Sequence, residues 1–202
     1  GNIHKGLLMK PVTRIQSRTV ALPTRDIDTD QIIAARFLTT TSKEGLGKNV
    51  FYDLRYDKDG AERPDFVLNK PEAKGCGILI AGNNFGCGSS REHASWALLD
   101  LGIQAVISTE IADIFRNNAL KNGLVAIVVD QESHQWFLDN AGVELTIDIE
   151  ALTITAGDGL TTSFSMDGFA RHCLIEGIDQ LGFLQQQQDA ISHFEESRSW
   201  KP

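Results

Sequence analysis

Short apolar runs alternate with helix-period segments through the middle of the chain. Gly77-Ile78-Leu79-Ile80-Ala81 has no polar position, the pattern of a strand buried on both faces. A glycine-rich turn follows from Gly82 to Gly88, and Ala94, Ala97, Leu98 and Leu101 then recur at helical spacing. Gln104 to Ser108 reads as a second strand, Ile111 to Asn122 as a helix, and Gly123 to Val129 as a third strand. Strand and helix alternating across short turns predict a parallel, three-layer core. Upstream, Arg14 to Leu22 is rich in β-formers and stops at Pro23, so it reads as a strand. Asp28-Thr29-Asp30 supplies acidic caps for a helix over Gln31 to Leu38. Thr39 to Asn49, polar and with two glycines, reads as a mobile loop. Val143 to Met166 is strand-rich, with a turn at Gly157-Asp158-Gly159, and Gly168 to Ile178 reads as a helix. The expected fold is α/β: a three-layer parallel β/α core with an added β portion, spanning 9–183. Residues 184–202 form a polar, helical tail, and residues 1–8 read as an appended segment ahead of a natural start at Met9.

Composition narrows the function. The apolar fraction is 42% and the charged fraction 23%, as in a soluble globular protein. A formal net charge of −8 argues against a nucleic-acid or anionic-membrane surface, while leaving room for one anion pocket. Cys76, Cys87 and Cys173 are widely spaced and form no CxxC or Cys/His metal pattern, so free thiols in a reducing compartment are expected. No apolar run approaches the ~18 residues of a membrane span, and no signal-peptide pattern is present. The expected location is cytoplasmic, with neither membrane nor nucleic acid as a partner.

The strongest candidate for chemistry is the stretch from Gly82 to Ala94. Its glycines let the backbone turn sharply and approach a ligand, and a helix N-terminus beyond them suits a carboxylate or phosphate. Arg91 runs against the acidic preference of a first helical turn, and a bidentate grip on a substrate carboxylate accounts for it. The plainer alternative is a capping box of Ser89 and Glu92. Cys87 as a nucleophile would need a histidine brought near by the fold, against the default of a packed thiol. Asp26, Asp28 and Asp30 alternate as a calcium loop opens, but its glycine and closing glutamate are absent at the required offsets. Trp96, Phe115, His134 and His172 read as structural.

Gly86-Cys87-Gly88-Ser89-Ser90-Arg91-Glu92-His93-Ala94 strongly resembles the signature of the aconitase swivel domain, most closely in the bacterial small subunits of isopropylmalate dehydratases. Ile27 to Ile33, Phe51 to Arg55, Pro64 to Asn69, Ala112 to Phe115 and Asn117 to Leu124 match in order, so the resemblance runs from Met9 to about Phe183. It implies an aconitase swivel-type domain acting as the small chain of a two-chain hydro-lyase, a heterodimer or heterotetramer with a large subunit. That partner is expected to hold a [4Fe–4S] cluster, a Lewis acid toward the substrate, with no cofactor in this chain. Ser89 matches the base, Ser90 and Arg91 match residues that bind a dicarboxylate substrate, and Asp30 matches an acidic member of the same network. Leu38, Thr39, Thr40 and Thr41 occupy the specificity loop. The implied reaction moves water between neighbouring carbons of isopropylmalate, for leucine synthesis. Thr39 to Thr41 replace basic and apolar residues common in the family, Asn83 stands where arginine is common, and Arg116 where tyrosine is. These departures keep a different 2-alkylmalate, methylmalate or dimethylmalate, open as the substrate. A freestanding carboxylate-binding module and a cysteine hydrolase are the readings from other classes.

Overall fold

The computed structural model describes residues 9–39, 43–157 and 159–199. The segment 1–8 and the positions Thr40 and Thr41 lie outside the described residues. The chain begins with strand β1 (Arg14–Leu22) and turns at Asp28 into α1 (Thr29–Ile32). Asp28 and Gln31 build a capping box there: the Asp28 carboxylate accepts the Gln31 N–H at 2.8 Å, and Gln31 Oε1 accepts the Asp28 N–H at 3.0 Å. The helix expected to reach Leu38 ends after one turn, at Ile32, and a 3₁₀ turn covers Ala35–Phe37. Burial explains this. Ile32, Ile33 and Ala34 are all buried, and three consecutive buried positions cannot share one face of a helix.

After α2 (Tyr52–Arg55) the parallel core follows: β2 (Ile78–Ala81), α3 (Glu92–Leu101), β3 (Ala105–Ser108), α4 (Asp113–Lys121) and β4 (Val125–Val128). Helix α5 (Gln131–Asp139) comes next, unflagged by the sequence pattern because its apolar residues Trp136, Phe137 and Leu138 are consecutive. Its start is local: the Asp130 carboxylate accepts the Ser133 N–H at 2.6 Å, which holds that carboxyl below its usual pKa. The rest comprises β5 (Glu144–Asp148), β6 (Thr153–Ala156), β7 (Thr161–Ser163), α6 (Gly168–Glu176) and α7 (Gln180–Ser199). Within the segment 39–49, expected to be a mobile loop, Leu46 is buried and Gly47–Asn49 forms a 3₁₀ turn, fixed by the Gly47 N–H on the Asp100 carboxylate at 2.8 Å.

All seven strands form one sheet in the order β4-β3-β2-β1-β5-β6-β7. The first four are mutually parallel and the remaining pairings antiparallel. Strand alternation splits the core into two layers. Leu79, Ala81, Val106 and Ala126 face α1, α3 and α4; Ile78, Ile80, Ile107 and Ile127 face α5, α6 and the antiparallel strands. Ile78, Leu79, Ile80 and Ala81 are each fully buried, and burying an Ile or Leu side chain stabilises by about 1.5–3 kcal/mol. The fold is thus a three-layer α/β core whose sheet continues into an antiparallel portion. No helix of the described residues is long and apolar enough to cross a membrane.

Candidate active site

The C-terminal ends of the parallel strands carry the polar loops, where open α/β sheets bind ligands. Three backbone hydrogen bonds run the loop after β1 alongside the loop after β2: Asp26 N–H to Asn83 O at 2.9 Å, Gly86 N–H to Ile27 O at 2.7 Å, and Thr29 N–H to Cys87 O at 2.9 Å. Asp26 and Asn84 both adopt left-handed backbone, and the Asn84 amide donates to the Asp26 carboxylate at 2.9 Å. Gly86 is obligatory twice over. Its φ is +80°, and a Cβ there would lie 2.4 Å from Cγ of Phe115, whose ring stacks edge-on against Phe85.

This pairing brings Asp30 to Arg91. Arg91 Nη1 lies 3.1 Å from Asp30 Oδ1 and also donates to Ile33 O at 3.4 Å. The same Asp30 oxygen accepts the Ala35 N–H at 3.2 Å, so one carboxylate ties the arginine to the start of the 3₁₀ turn that leads to Leu38. The Arg91 side chain is 24% exposed and that of Asp30 62%, so the pair orients more than it stabilises. Nη2 and Nε of Arg91 make no hydrogen bond among the described residues, leaving donors for a ligand carboxylate.

Arg91 is the N-cap of α3 and offers it no side-chain cap. The helix therefore starts two residues later than a Ser89 cap would place it, and the Ser89–Glu92 capping box does not form. Glu92 instead accepts from Asn122 Nδ2 at 3.4 Å. Ser89 is exposed, its carbonyl accepts from the Thr29 hydroxyl at 2.7 Å, and its own hydroxyl makes no hydrogen bond among the described residues. Ser90, also exposed, accepts from Asn118 Nδ2 at 2.9 Å. The uncapped first turn of α3 directs open N–H groups and a positive dipole end at this loop.

Ser89, Ser90, Arg91 and Asp30 are thus brought together. Leu38 is half-buried against the core and Thr39 is exposed, at the end of the same segment. Burial, and then the carboxylates of Asp28 and Asp26, push the Cys87 thiol above its usual pKa, which argues against a thiolate nucleophile. His134 is structural, its Nε2 2.7 Å from Ala81 O, and Phe115 is buried, whereas Trp96 is half-buried. Thr29 and Asn118 were not legible as site residues. Thr29 reads locally as a helix start and Asn118 as a polar helix position, and only the fold sets them beside the serines. The family departures are absorbed locally: Asn83 donates to Thr109 Oγ1 at 3.1 Å and Arg116 to Ser165 O at 3.2 Å.

The chain belongs to the Aconitase C-terminal domain family, whose profile matches residues 9–132. Within that family its place is among the 3-isopropylmalate dehydratase small subunits. The protein of that name from Anaeromyxobacter dehalogenans is 61% identical over 94% of this chain and all of its own length. One from a Roseiflexus species is 55% identical over 94% of this chain and 95% of its own. The crystal structure of a 3-isopropylmalate dehydratase from Methanocaldococcus jannaschii superposes with a TM-score of 0.65 at 28% identity, covering 89% of this chain and 98% of that one.

Proposed function

We propose that this chain is the small subunit of a cytoplasmic, two-subunit hydro-lyase that interconverts 2-isopropylmalate and 3-isopropylmalate in leucine biosynthesis. The observation that carries the site assignment is Arg91, with Nη1 on Asp30 and its other donors open, beside an exposed Ser89 hydroxyl with no other hydrogen bond. Arg91 grips a substrate carboxylate, Ser90 adds a hydrogen bond to it, and Ser89 takes the proton from the carbon beside it. An alkoxide is a strong base for neutral pH, and the first-turn N–H groups of α3 with the Arg91 guanidinium lower its cost. Asp30 holds Arg91 in place and joins it to the loop that meets the variable group of the substrate.

The Lewis acid toward the departing hydroxyl is assigned to a [4Fe–4S] cluster on the large subunit. The thiols of this chain do not form a ligand set. Cys76 lies before β2 with its Sγ on Thr19 O and Glu72 O, Cys87 lies beyond the far end of that strand, and Cys173 is buried in α6. Arg36, a cation near the specificity loop, is held by Asp53 at 2.6 and 3.1 Å and lies over the Phe37 ring. That arrangement favours an uncharged alkyl group over a third carboxylate.

The test is an anaerobic assay of this chain with its large subunit, following the conjugated alkene in the ultraviolet with 2-isopropylmalate, 3-isopropylmalate and 2-methylmalate. Turnover of the isopropyl acids only when both chains are present is expected. Ser89→Ala should lower kcat at least about 10²-fold without weakening subunit association. Preference for 2-methylmalate would move the substrate to the related 2-alkylmalate reading, and substantial turnover by Ser89→Ala would overturn the base assignment.

A further inference from the structure

We propose that Asn118 is a positioning residue that aims the Ser90 hydroxyl proton at the substrate carboxylate. The proposal rests on the reading of Ser90 given above and adds a residue from a different element. Asn118 lies on α4, half-buried, with Nδ2 2.9 Å from Ser90 Oγ. A serine hydroxyl has one proton and two lone pairs. The amide N–H fills one lone pair, so the proton has to point away from α4. Ser90 is exposed and its hydroxyl has no other partner among the described residues, which leaves that proton for an acceptor arriving from outside.

The stretch of α4 that carries Asn118 is held in place. Phe115 and Asn118 share one face of α4 with its C-cap residue Asn122, the face turned to the glycine loop and α3. Phe115 packs on Phe85, Asn122 Oδ1 accepts from Trp96 Nε1 at 2.9 Å, and Asn122 Nδ2 donates to Asn118 O at 2.8 Å and to Glu92 at 3.4 Å. Helix α4 is therefore fastened to the glycine loop on one side of Asn118 and to α3 on the other. A carboxylate ligand benefits because a hydroxyl already accepting a hydrogen bond is a polarised, oriented donor.

The experiment measures kcat and KM of the reconstituted two-subunit enzyme with its preferred substrate. Asn118→Asp replaces the donor by an acceptor, turns the Ser90 proton back toward α4 and sets a negative charge near a dianion. KM should rise about 10-fold or more, with a smaller change in kcat. Asn118→Ala should raise KM by less, and in a Ser90→Ala background it should add nothing further. An Asn118→Asp enzyme with unchanged KM, or Ser90→Ala and Asn118→Ala effects that multiply, would overturn the proposal. Wild-type enzyme inactive on all three malates would instead refute the functional reading. Ser90→Ala without effect on KM would remove the substrate role of Ser90 and Asn118 with it.

Discussion

Strand β1 serves two halves of the sheet that are built on different rules. Its first half, Arg14 to Arg18, pairs antiparallel with β5; its second half, Thr19 to Leu22, pairs parallel with β2. On the parallel side β2 and β3 are four-residue strands with every residue buried, and their C-terminal loops interlock through backbone hydrogen bonds past the ends of the strands. On the antiparallel side β5 and β6 alternate buried and accessible residues, the edge strand β7 has no buried residue, and short turns join them. Every residue assigned a role in the chemistry belongs to the parallel half or to the segment after β1. The family profile ends at residue 132, before β5 begins. A parallel sheet lines up its strand ends at one edge, so loops far apart in sequence meet there, whereas the antiparallel half packs Ile147, Ile154 and Phe164 into the core layer that also holds Ile78 and Ile107.

Two arginines give the largest test of that division. Arg91→Ala should lower kcat/KM about 10–100-fold by removing charge-assisted hydrogen bonds to substrate, with little change in Tm. Arg171, which donates from α6 to the carbonyls of Ile149 and Glu150 beside β5, should behave inversely. Arg171→Ala should lower Tm and leave kcat/KM near wild type; steady-state kinetics and thermal unfolding on both variants read the contrast. A glycine pair comes next. Gly86→Ala should destabilise by about 2–3 kcal/mol, since a Cβ meets Phe115 and φ is positive, and the site loop should shift with it. Gly168→Ala, at the open first turn of α6, should stabilise by about 0.5–1 kcal/mol. Denaturant titration of both decides whether the parallel half is the less tolerant.

The smallest effect concerns the Asp130 cap that joins β4 to α5. The Ser133 N–H lowers its pKa in the folded chain, so its stabilisation is present above the unfolded carboxylate value, about 3.9, and is lost as pH falls through the lower folded value. The stability gap between wild type and Asp130→Ala should therefore be open at pH 7 and close in strong acid. A gap independent of pH would mean that the carboxylate charge is not what the cap uses.

Ile78 to Ala81 is legible as a strand because a strand buried on both faces has no polar position, and Ala105 to Ser108 shows the same apolar run closed by one buried serine. The Gly86–Ala94 motif marked the site because positive φ and a close approach require glycine. The pattern after Asp28 predicts too long a helix because the buried residues Ile32 to Ala34 are consecutive, and α5 carries no apolar period because two of its three buried residues, Ser133 and His134, are polar. The N-cap of α3 falls on Arg91, which pairs with Asp30 61 residues earlier, and a guanidinium has no acceptor for the N–H groups of the first turn.

By itself, then, the sequence determined the alternating core and the glycine turn, because propensity, periodicity and backbone conformation act over a few neighbouring residues, while Ser89, Ser90, Arg91 and Asp30 stand out through resemblance to a family motif. Tertiary structure alone decided that β1 joins the parallel and antiparallel halves of one sheet, that Asp30 faces Arg91, and that Asn118 reaches Ser90. The two side-chain contacts join residues 61 and 28 positions apart, and they form only once burial of the parallel strands has brought their loops to one edge.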